Sequence, residues 1–155
     1  MSGQSASQQI IYKPIGIFLS HYTPETGAPR QGILKPDVKA KIEIFPEYHG
    51  ALASLTQHEY IIVLYHLDRV ADWSMMVTPP GADREFGLFA TRTPRRPNPI
   101  GFSVLKLDKV ENGILYISGT DAFNGTHVLD IKPYIPSWDC LETSGREKIE
   151  KRVGL

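Results

Sequence analysis

The chain has 155 residues but only one cysteine, Cys140, and it carries no net charge and no long apolar run. A single cysteine excludes an internal disulfide framework and a cysteine-rich zinc site. The 17 basic and 17 acidic residues cancel, which argues against a protein that coats nucleic acid by bulk charge but permits a local basic site. With no signal peptide and no membrane-spanning apolar run, we expect a soluble, cytoplasmic protein.

Motifs of the common nucleotide and metal enzymes are also missing. No G-x-G-x-x-G follows a predicted strand, and no P-loop, H-E-x-x-H or G-x-S-x-G segment is present. A Rossmann cofactor site is therefore not expected. The five histidines have no metal-ligand spacing, so we expect no metal site.

What is present is a series of short β-type segments with little helix between them. Residues 38–45 alternate apolar and polar side chains, which predicts a strand with one solvated face. Residues 59–67 are almost continuously apolar, which predicts a central strand buried on both faces. Asn112-Gly113 predicts a hairpin with a type I′ turn. This pattern favours a mainly β, single-domain barrel or sandwich with short helices and long loops over an α/β layer fold.

The remaining segments are less regular. Residues 10–19 contain Pro14 and Gly16 and predict an edge strand or a bent one. Residues 47–55 predict a short helical segment, and residues 74–78 a short strand. The predicted organisation is a disordered tail (residues 1–9), a β domain (10–137) and a C-terminal extension (138–155) with a short amphipathic helix at residues 145–153.

Residues 86–107, FGLFATRTPRRPNPIGFSVLKL, combine a basic, proline-rich loop with apolar segments that predict strands at residues 87–90 and 100–107. Each proline fixes its own φ and restricts the preceding residue, so the loop loses little entropy on folding and holds its arginines in a preset arrangement. Guanidinium groups on such a loop suit a phosphate, a carboxylate or a base edge. The alternative is a solvated turn whose prolines only block edge pairing.

FATRTPRRPNPIG resembles the signature loop of the TsaA-like family, the S-adenosylmethionine (SAM)-dependent tRNA N6-adenosine methyltransferases that act beside the anticodon. Two further segments are similar to the family's motifs, PRQG at residues 29–32 and DAFNGTHVLDIKPY at residues 121–134. The resemblance covers most of residues 11–136. It implies a single β-barrel and a homodimer whose cofactor pocket is completed at or near the subunit interface.

The resemblance also implies a reaction, methyl transfer from SAM to N6 of threonylcarbamoyladenosine at position 37 in the anticodon loop of tRNA. The implied cofactor contacts are Pro29, Arg30, Gln31, Gly32, His66, Leu67, Arg92, Leu105, Asp121, Ala122, Phe123 and Asn124. The predicted substrate-binding residues are Arg95, Arg96, Asn98, Lys132 and Tyr134. Asp130 is the candidate base. From the residues alone, Asp121 could equally cap a turn, and Asp130 and Lys132 could form a surface pair of little energetic consequence.

Three departures from the family pattern leave alternatives open. Asn124 replaces the usual aspartate, which removes a negative charge from the cofactor end, and His127 stands where proline is usual. The C-terminal domain of better characterised bacterial members has no counterpart in this sequence. The alternatives are a SAM-binding or sensing barrel without catalysis, and a small-molecule methyltransferase with the same cofactor site.

Overall fold

The computed structural model describes residues 9–142, and six of their strands close a barrel. Around the barrel the strand order is β1-β2-β7-β6-β3-β8, every neighbouring pair is antiparallel, and β8 pairs back with β1. Strands β4 and β5 form a separate two-stranded sheet. The predicted mainly β barrel is confirmed. The strands are β1 (Gly16–Leu19), β2 (Lys39–Ile44), β3 (Tyr60–His66), β4 (Met76–Val77), β5 (Phe86–Gly87), β6 (Ile100–Glu111), β7 (Ile114–Ser118) and β8 (His127–Pro133).

Alternating side chains fill the barrel. Along β2, Ala40, Ile42 and Ile44 are buried while the residues between them are exposed, as the period of two predicts. The other strands contribute inward-facing side chains in the same way, and closure leaves no unpaired sheet edge around the barrel. The fully buried members of the core include Phe18, Ile42, Ile61, Val63, Leu105, Leu115, Ile117 and Val128.

Strand β3 departs from its prediction because it is buried on one face only. Ile61, Val63 and Tyr65 point into the barrel, whereas Ile62 and Leu64 are only half-buried. The sequence pattern suggested two buried faces because the outward positions are apolar as well. A barrel has a single interior, so the outer face of this strand has no second layer over it within residues 9–142.

Three predicted strands are shorter than the sequence suggested. The strand predicted at residues 74–78 is β4, which spans only Met76–Val77. β1 begins at Gly16, so the β-rich residues before it lie outside the strand. The prediction for residues 87–90 was wrong, because β5 ends at Gly87 and a 3-10 helix spans Leu88–Ala90. Leu88 N donates to Met75 O and Thr91 N donates to Leu88 O, which closes this turn. The basic loop is therefore preceded by a helical turn and followed by a strand.

The hairpin between β6 and β7 confirms the strongest turn signal in the sequence. Asn112 and Gly113 have φ values of 51° and 77°, and Glu111 pairs with Ile114 on either side of them. Positive φ at both central residues is the requirement of a type I′ turn.

Helices are short throughout the described range. The predicted helical segment at residues 47–55 is present as 3-10 helices Pro46–Leu52 and Leu55–Gln57, and a single α-helical turn spans Pro136–Asp139. Residues 1–8 of the predicted tail and the predicted helix at residues 145–153 lie outside the described residues. None of the described helices has the length and apolarity that crossing a membrane requires.

The two ends of the barrel differ. At one end, which we call the loop end, β3 and β7 finish at His66 and Ser118, and β6 and β8 begin at Ile100 and His127. At the other end the 3-10 helices between β2 and β3 pack Tyr48, Leu52 and Leu55 against the core. Two of the segments that resemble family motifs, and the first part of the third (residues 121–134), lie at the loop end, while the rest of the third runs along β8 to the opposite end.

Candidate functional site

Backbone hydrogen bonds join several of the predicted site segments at the loop end. Leu67 N donates to Pro99 O at 2.8 Å, which ties the end of β3 to the proline turn. Asn124 N donates to Tyr22 O, and Gly125 N donates to Phe18 O, both at 2.8 Å. The segment after β7 is therefore held against the end of β1.

Gly32 allows the PRQG segment, residues 29–32, to pack closely at the loop end. Its Cα lies so close to the carbonyl of Gly119 that an added Cβ would overlap the carbonyl oxygen. Gly119 itself has a φ of 81°, a left-handed conformation that favours glycine. Residues 29–32 therefore pack directly beside the start of the Asp121 segment, and a side chain at position 32 would push the two apart.

Asp121 is the chemically most distinctive group at the loop end. Its Oδ1 accepts hydrogen bonds from Tyr65 Oη and Ser103 Oγ, both at 3.2 Å, and these two hydroxyls are 3.0 Å apart. Burial raises the pKa of Asp121, while hydrogen bonds from its own backbone, Ser103 and Tyr65 oppose the rise. No salt bridge among residues 9–142 involves this carboxylate.

Tyr65 and Ser103 were missed in the sequence analysis. Burial and the negative charge of Asp121 raise the pKa of the Tyr65 phenol, so it stays protonated and able to donate. Gly101, the cross-strand partner of Tyr65, leaves room for the ring, since a Cβ there would overlap three ring atoms. The signal that could have found both residues is a polar atom at an inward position of an otherwise apolar strand.

Asn124 and its neighbours are held from two sides. Arg69 Nη2 donates to Asn124 O at 2.7 Å, and the Arg69 guanidinium lies 5.3 Å from the centroid of the Phe123 ring. Asn124 Oδ1 accepts a hydrogen bond from Ser20 N at 3.2 Å. The amide oxygen thus fixes the end of β1, a role that an aspartate oxygen would fill equally well. Arg69 was not predicted as a site residue.

The arginines of the basic loop divide into two kinds. Arg96 is half-buried, donates to Thr91 O at 2.8 Å and to Thr93 O at 3.3 Å, and lies 5.7 Å from the centroid of the Phe89 ring. It therefore closes the loop on itself. Arg92 and Arg95 are exposed, and neither has a hydrogen bond or ion pair with another described side chain or backbone group.

The other predicted residues near this loop are mostly accessible. Arg30 and His66 are exposed, while Pro29, Gln31 and Leu67 are half-buried. Asn98 is exposed and its carbonyl accepts from Ile100 N at 2.8 Å, and Ala122 is buried. These residues lie on the segments that converge at the loop end.

Four predicted residues do not join this cluster through their side chains. Leu105 is fully buried in the core. Asp130 and Lys132 form an ion pair of 2.7 Å on the outer face of β8, opposite Leu64 and Ile62. The hydrogen bond that Lys132 donates to the Asp130 carboxylate raises the pKa of Lys132. This is the surface pair that the sequence left open as an alternative. Tyr134 packs against Tyr60, with ring centroids 6.5 Å apart, at the opposite end of the barrel.

A groove of about 680 Å³ opens beside Asn124 on the side of β1, β2 and β7. Its wall includes Ser20, His21, Lys41 and Tyr116. Of the predicted cofactor residues only Asn124 lines it, so the groove adjoins the loop end without containing Asp121. Among residues 9–142, histidine, cysteine and acidic side chains form no cluster that could hold a metal ion.

The fold and the site define a class of protein: an antiparallel six-stranded barrel with a polar, loop-built site at one end, unrelated to the Rossmann sheet. Residues 17–140 match the family model of the tRNA-methyltransferase O N-terminal domain. The chain belongs to this family.

Individual relatives agree with that assignment. A probable S-adenosyl-L-methionine-binding protein of Pyrococcus abyssi is 38% identical over 144 residues, which are 93% of this chain and 78% of the relative. An S-adenosyl-L-methionine-binding protein of Archaeoglobus fulgidus is 42% identical over 132 residues, 85% of this chain and 94% of the relative. The human tRNA (adenine(37)-N6)-methyltransferase is 36% identical over 137 residues, 84% of this chain but 31% of the relative.

The fold also matches a solved structure. The crystal structure of TrmO from Pseudomonas aeruginosa superposes with a TM-score of 0.76 at 34% identity, over 92% of this chain and 63% of that chain. This chain therefore spans nearly all of one archaeal relative, just under two thirds of the bacterial TrmO and about a third of the human enzyme.

Proposed function

We propose that this protein is a SAM-dependent methyltransferase that methylates N6 of adenosine 37 in tRNA. The observation that carries the proposal is the half-buried Asp121 carboxylate, held by two hydroxyls where residues 29–32, the end of β3 and residues 121–124 meet. Family membership supports the reaction class, since the human, mouse and rat relatives are named tRNA (adenine(37)-N6)-methyltransferases.

The residues at the loop end fit SAM chemically. Asp121 Oδ1 receives both side-chain hydrogen bonds, while Oδ2 receives none from a described side chain. A partly buried carboxylate of this kind is stabilised by hydroxyl donors or by a positive charge. SAM offers both, in its ribose hydroxyls and in its sulfonium and ammonium groups. When bound, SAM would supply the electrophilic methyl group.

The contribution of this chain to methyl transfer is mainly positioning. Transfer requires the acceptor nitrogen to approach the methyl carbon in line, so fixing the two partners supplies much of the rate enhancement. Close packing at Gly32 and the hydrogen bond from Arg69 fix the loop segments, which therefore provide a rigid frame for the two reaction partners. Asp130 remains the proposed base, but its place on the outer face of β8 means that it could serve only a site formed on that face.

The tRNA is proposed to contact the basic loop. Arg92 and Arg95 are exposed on a loop that Arg96 holds closed, so their charges are preset for phosphates or for the threonine carboxylate. Phe89, the residue beneath Arg96, is 81% exposed and offers a ring on which an unpaired base can stack. We propose that adenosine 37 accepts the methyl group only when it carries the threonylcarbamoyl group.

A homodimer is proposed through the outer face of β3 and β6. Ile100, Phe102 and Val104 are 45%, 50% and 40% exposed, and Phe102 and Val104 stand opposite Leu64 and Ile62. A continuous apolar surface on adjacent strands is typical of an interface between subunits. The Asp130–Lys132 pair borders this face, which would bring it near the second subunit. We propose a cytoplasmic location for the dimer.

The test is methylation of defined tRNA by the purified chain. With SAM carrying a labelled methyl group, tRNA that contains threonylcarbamoyladenosine should give the methylated nucleoside on digestion and mass spectrometry, and tRNA lacking that group should not. Transfer to neither RNA would overturn the proposal. The archaeal relatives are named only for SAM binding, so a chain that binds SAM in calorimetry without transfer would be a SAM-binding barrel.

A further inference from the structure

We propose that Tyr65 and Ser103 are positioning residues that orient Asp121 for the cofactor, and that Gly101 is the residue that lets Tyr65 reach it. The inference rests on the proposed function in one respect, that SAM is the ligand of Asp121. It assigns a role to Tyr65 and Ser103, which lie in none of the three segments that resemble family motifs, and to Gly101, the last residue of the basic-loop segment, which is not among the predicted site residues.

The geometry of the three groups places both hydroxyls at one carboxylate oxygen of Asp121. Tyr65 Oη, Ser103 Oγ and Asp121 Oδ1 form a triangle with sides of 3.0, 3.2 and 3.2 Å. Each hydroxyl has one hydrogen to donate. Either both hydrogens go to Asp121, or Tyr65 donates to Ser103 and Ser103 donates to Asp121. In both cases Oδ1 is held by a hydroxyl, and neither hydroxyl contacts Oδ2.

The two donors also favour the ionised carboxylate. Burial raises the pKa of Asp121, and the hydrogen bonds from Ser103 and Tyr65 lower it. Without these donors the carboxylate would rotate more freely and would take up a proton more readily, and a protonated carboxyl binds a cationic ligand less well. No described cation is paired with Asp121 to replace them.

The Tyr65 ring is placed by packing rather than by its hydroxyl. It lies edge-on to Phe18, with centroids 5.3 Å apart and planes at 77°, and it covers Gly101 on the facing strand. Tyr65→Phe keeps these ring contacts and removes only the hydroxyl. The hydroxyl could instead serve stability alone, as one member of a satisfied buried network. A binding measurement separates the two roles.

The experiment is a double-mutant cycle on the full chain, with SAM affinity measured by calorimetry and folding checked by thermal unfolding. Tyr65→Phe should weaken SAM binding about tenfold, the effect of losing one hydrogen bond to a charged group. In an Asp121→Asn background, the same substitution should have little further effect, because Tyr65 acts through Asp121. Ser103→Ala should behave likewise.

Tyr48→Phe is the matched control, since it removes a tyrosine hydroxyl from a half-buried side chain at the opposite end of the barrel. It should leave SAM affinity unchanged. An unchanged affinity in both Tyr65→Phe and Ser103→Ala would overturn the inference, as would equal losses with and without Asp121. Failure of the unsubstituted chain to bind SAM would overturn the proposed function and this inference with it.

Discussion

Gly101 offers the sharpest test of how the loop end is built. Gly101 lies at an inward position of β6, directly opposite Tyr65, and an alanine Cβ there would overlap Cε2, Cδ2 and Cζ of the Tyr65 ring. The backbone of Gly101 does not have a positive φ, so alanine is conformationally acceptable. Any loss of stability in Gly101→Ala should therefore come from its contact with Tyr65, set against the small gain that alanine gives by restricting the unfolded chain.

The size of the effect follows from the packing. Relief of the overlap requires the ring to move away from β6, and Phe18 already occupies the space at its edge. Overpacking of this kind costs about 1–3 kcal/mol of folding free energy. In a protein of this size each kcal/mol lowers the melting temperature by about 2–4 °C. Movement of the ring also carries the hydroxyl away from Asp121, so SAM affinity should fall with stability.

Gly87→Ala is the control for the backbone effect of the same substitution. Gly87 has φ −57° and ψ 138°, and nothing lies within 4 Å of an added Cβ. Alanine there should be neutral or stabilise the protein by about 0.4–1 kcal/mol. Both variants would be followed by thermal unfolding and by SAM calorimetry.

A second background isolates the clash. In Tyr65→Leu the ring is gone, so adding Gly101→Ala should cost much less stability than it does in the unsubstituted chain. If Gly101→Ala were as stable as Gly87→Ala, or if its cost persisted undiminished in the Tyr65→Leu background, the account of this contact would be wrong.

Three further predictions test charge, loop and surface. Because burial raises the pKa of Asp121 in the folded protein, ionisation costs stability above the ordinary pKa of 3.8. Asp121→Asn should therefore stabilise the SAM-free protein at pH 7, and this gain in stability should disappear as the pH falls towards 3.8. The same substitution should lower SAM affinity. A gain in stability that stays constant in unfolding curves from pH 3 to 8 would contradict this prediction. Arg96→Ala should lower stability by about 1–3 kcal/mol through loss of two hydrogen bonds, whereas Arg95→Ala should change stability by less than about 0.5 kcal/mol and should reduce tRNA methylation. The reverse ranking in chemical denaturation would contradict the division of these arginines. Phe102→Asp should shift a dimer to monomers in sedimentation, with Lys41→Asp on the outer face of β2 as the control, and a Phe102→Asp dimer would exclude this face as the interface.

Several features could be predicted from the amino-acid sequence because they depend only on local interactions along the chain. Alternation in residues 38–45 predicted β2 because side chains on a strand alternate faces whatever the partner strand is. Asn112-Gly113 predicted the hairpin because its two positive φ angles favour just these residue types. The missing glycine fingerprint excluded a Rossmann site. The segments that resemble family motifs predicted most of the residues that meet at the loop end.

The remaining features of the site depend on the register of the strands in the barrel. Tyr65 and Ser103 reach Asp121 across 56 and 18 residues of chain, and only the pairing of β3 with β6 and their position beside the end of β7 brings the three together. The same register turned Asp130 and Lys132 outward and gave β3 a single buried face. Periodicity in a sequence predicts which side chains share one face of a strand. Which strand lies beside that strand depends on closure of the whole barrel.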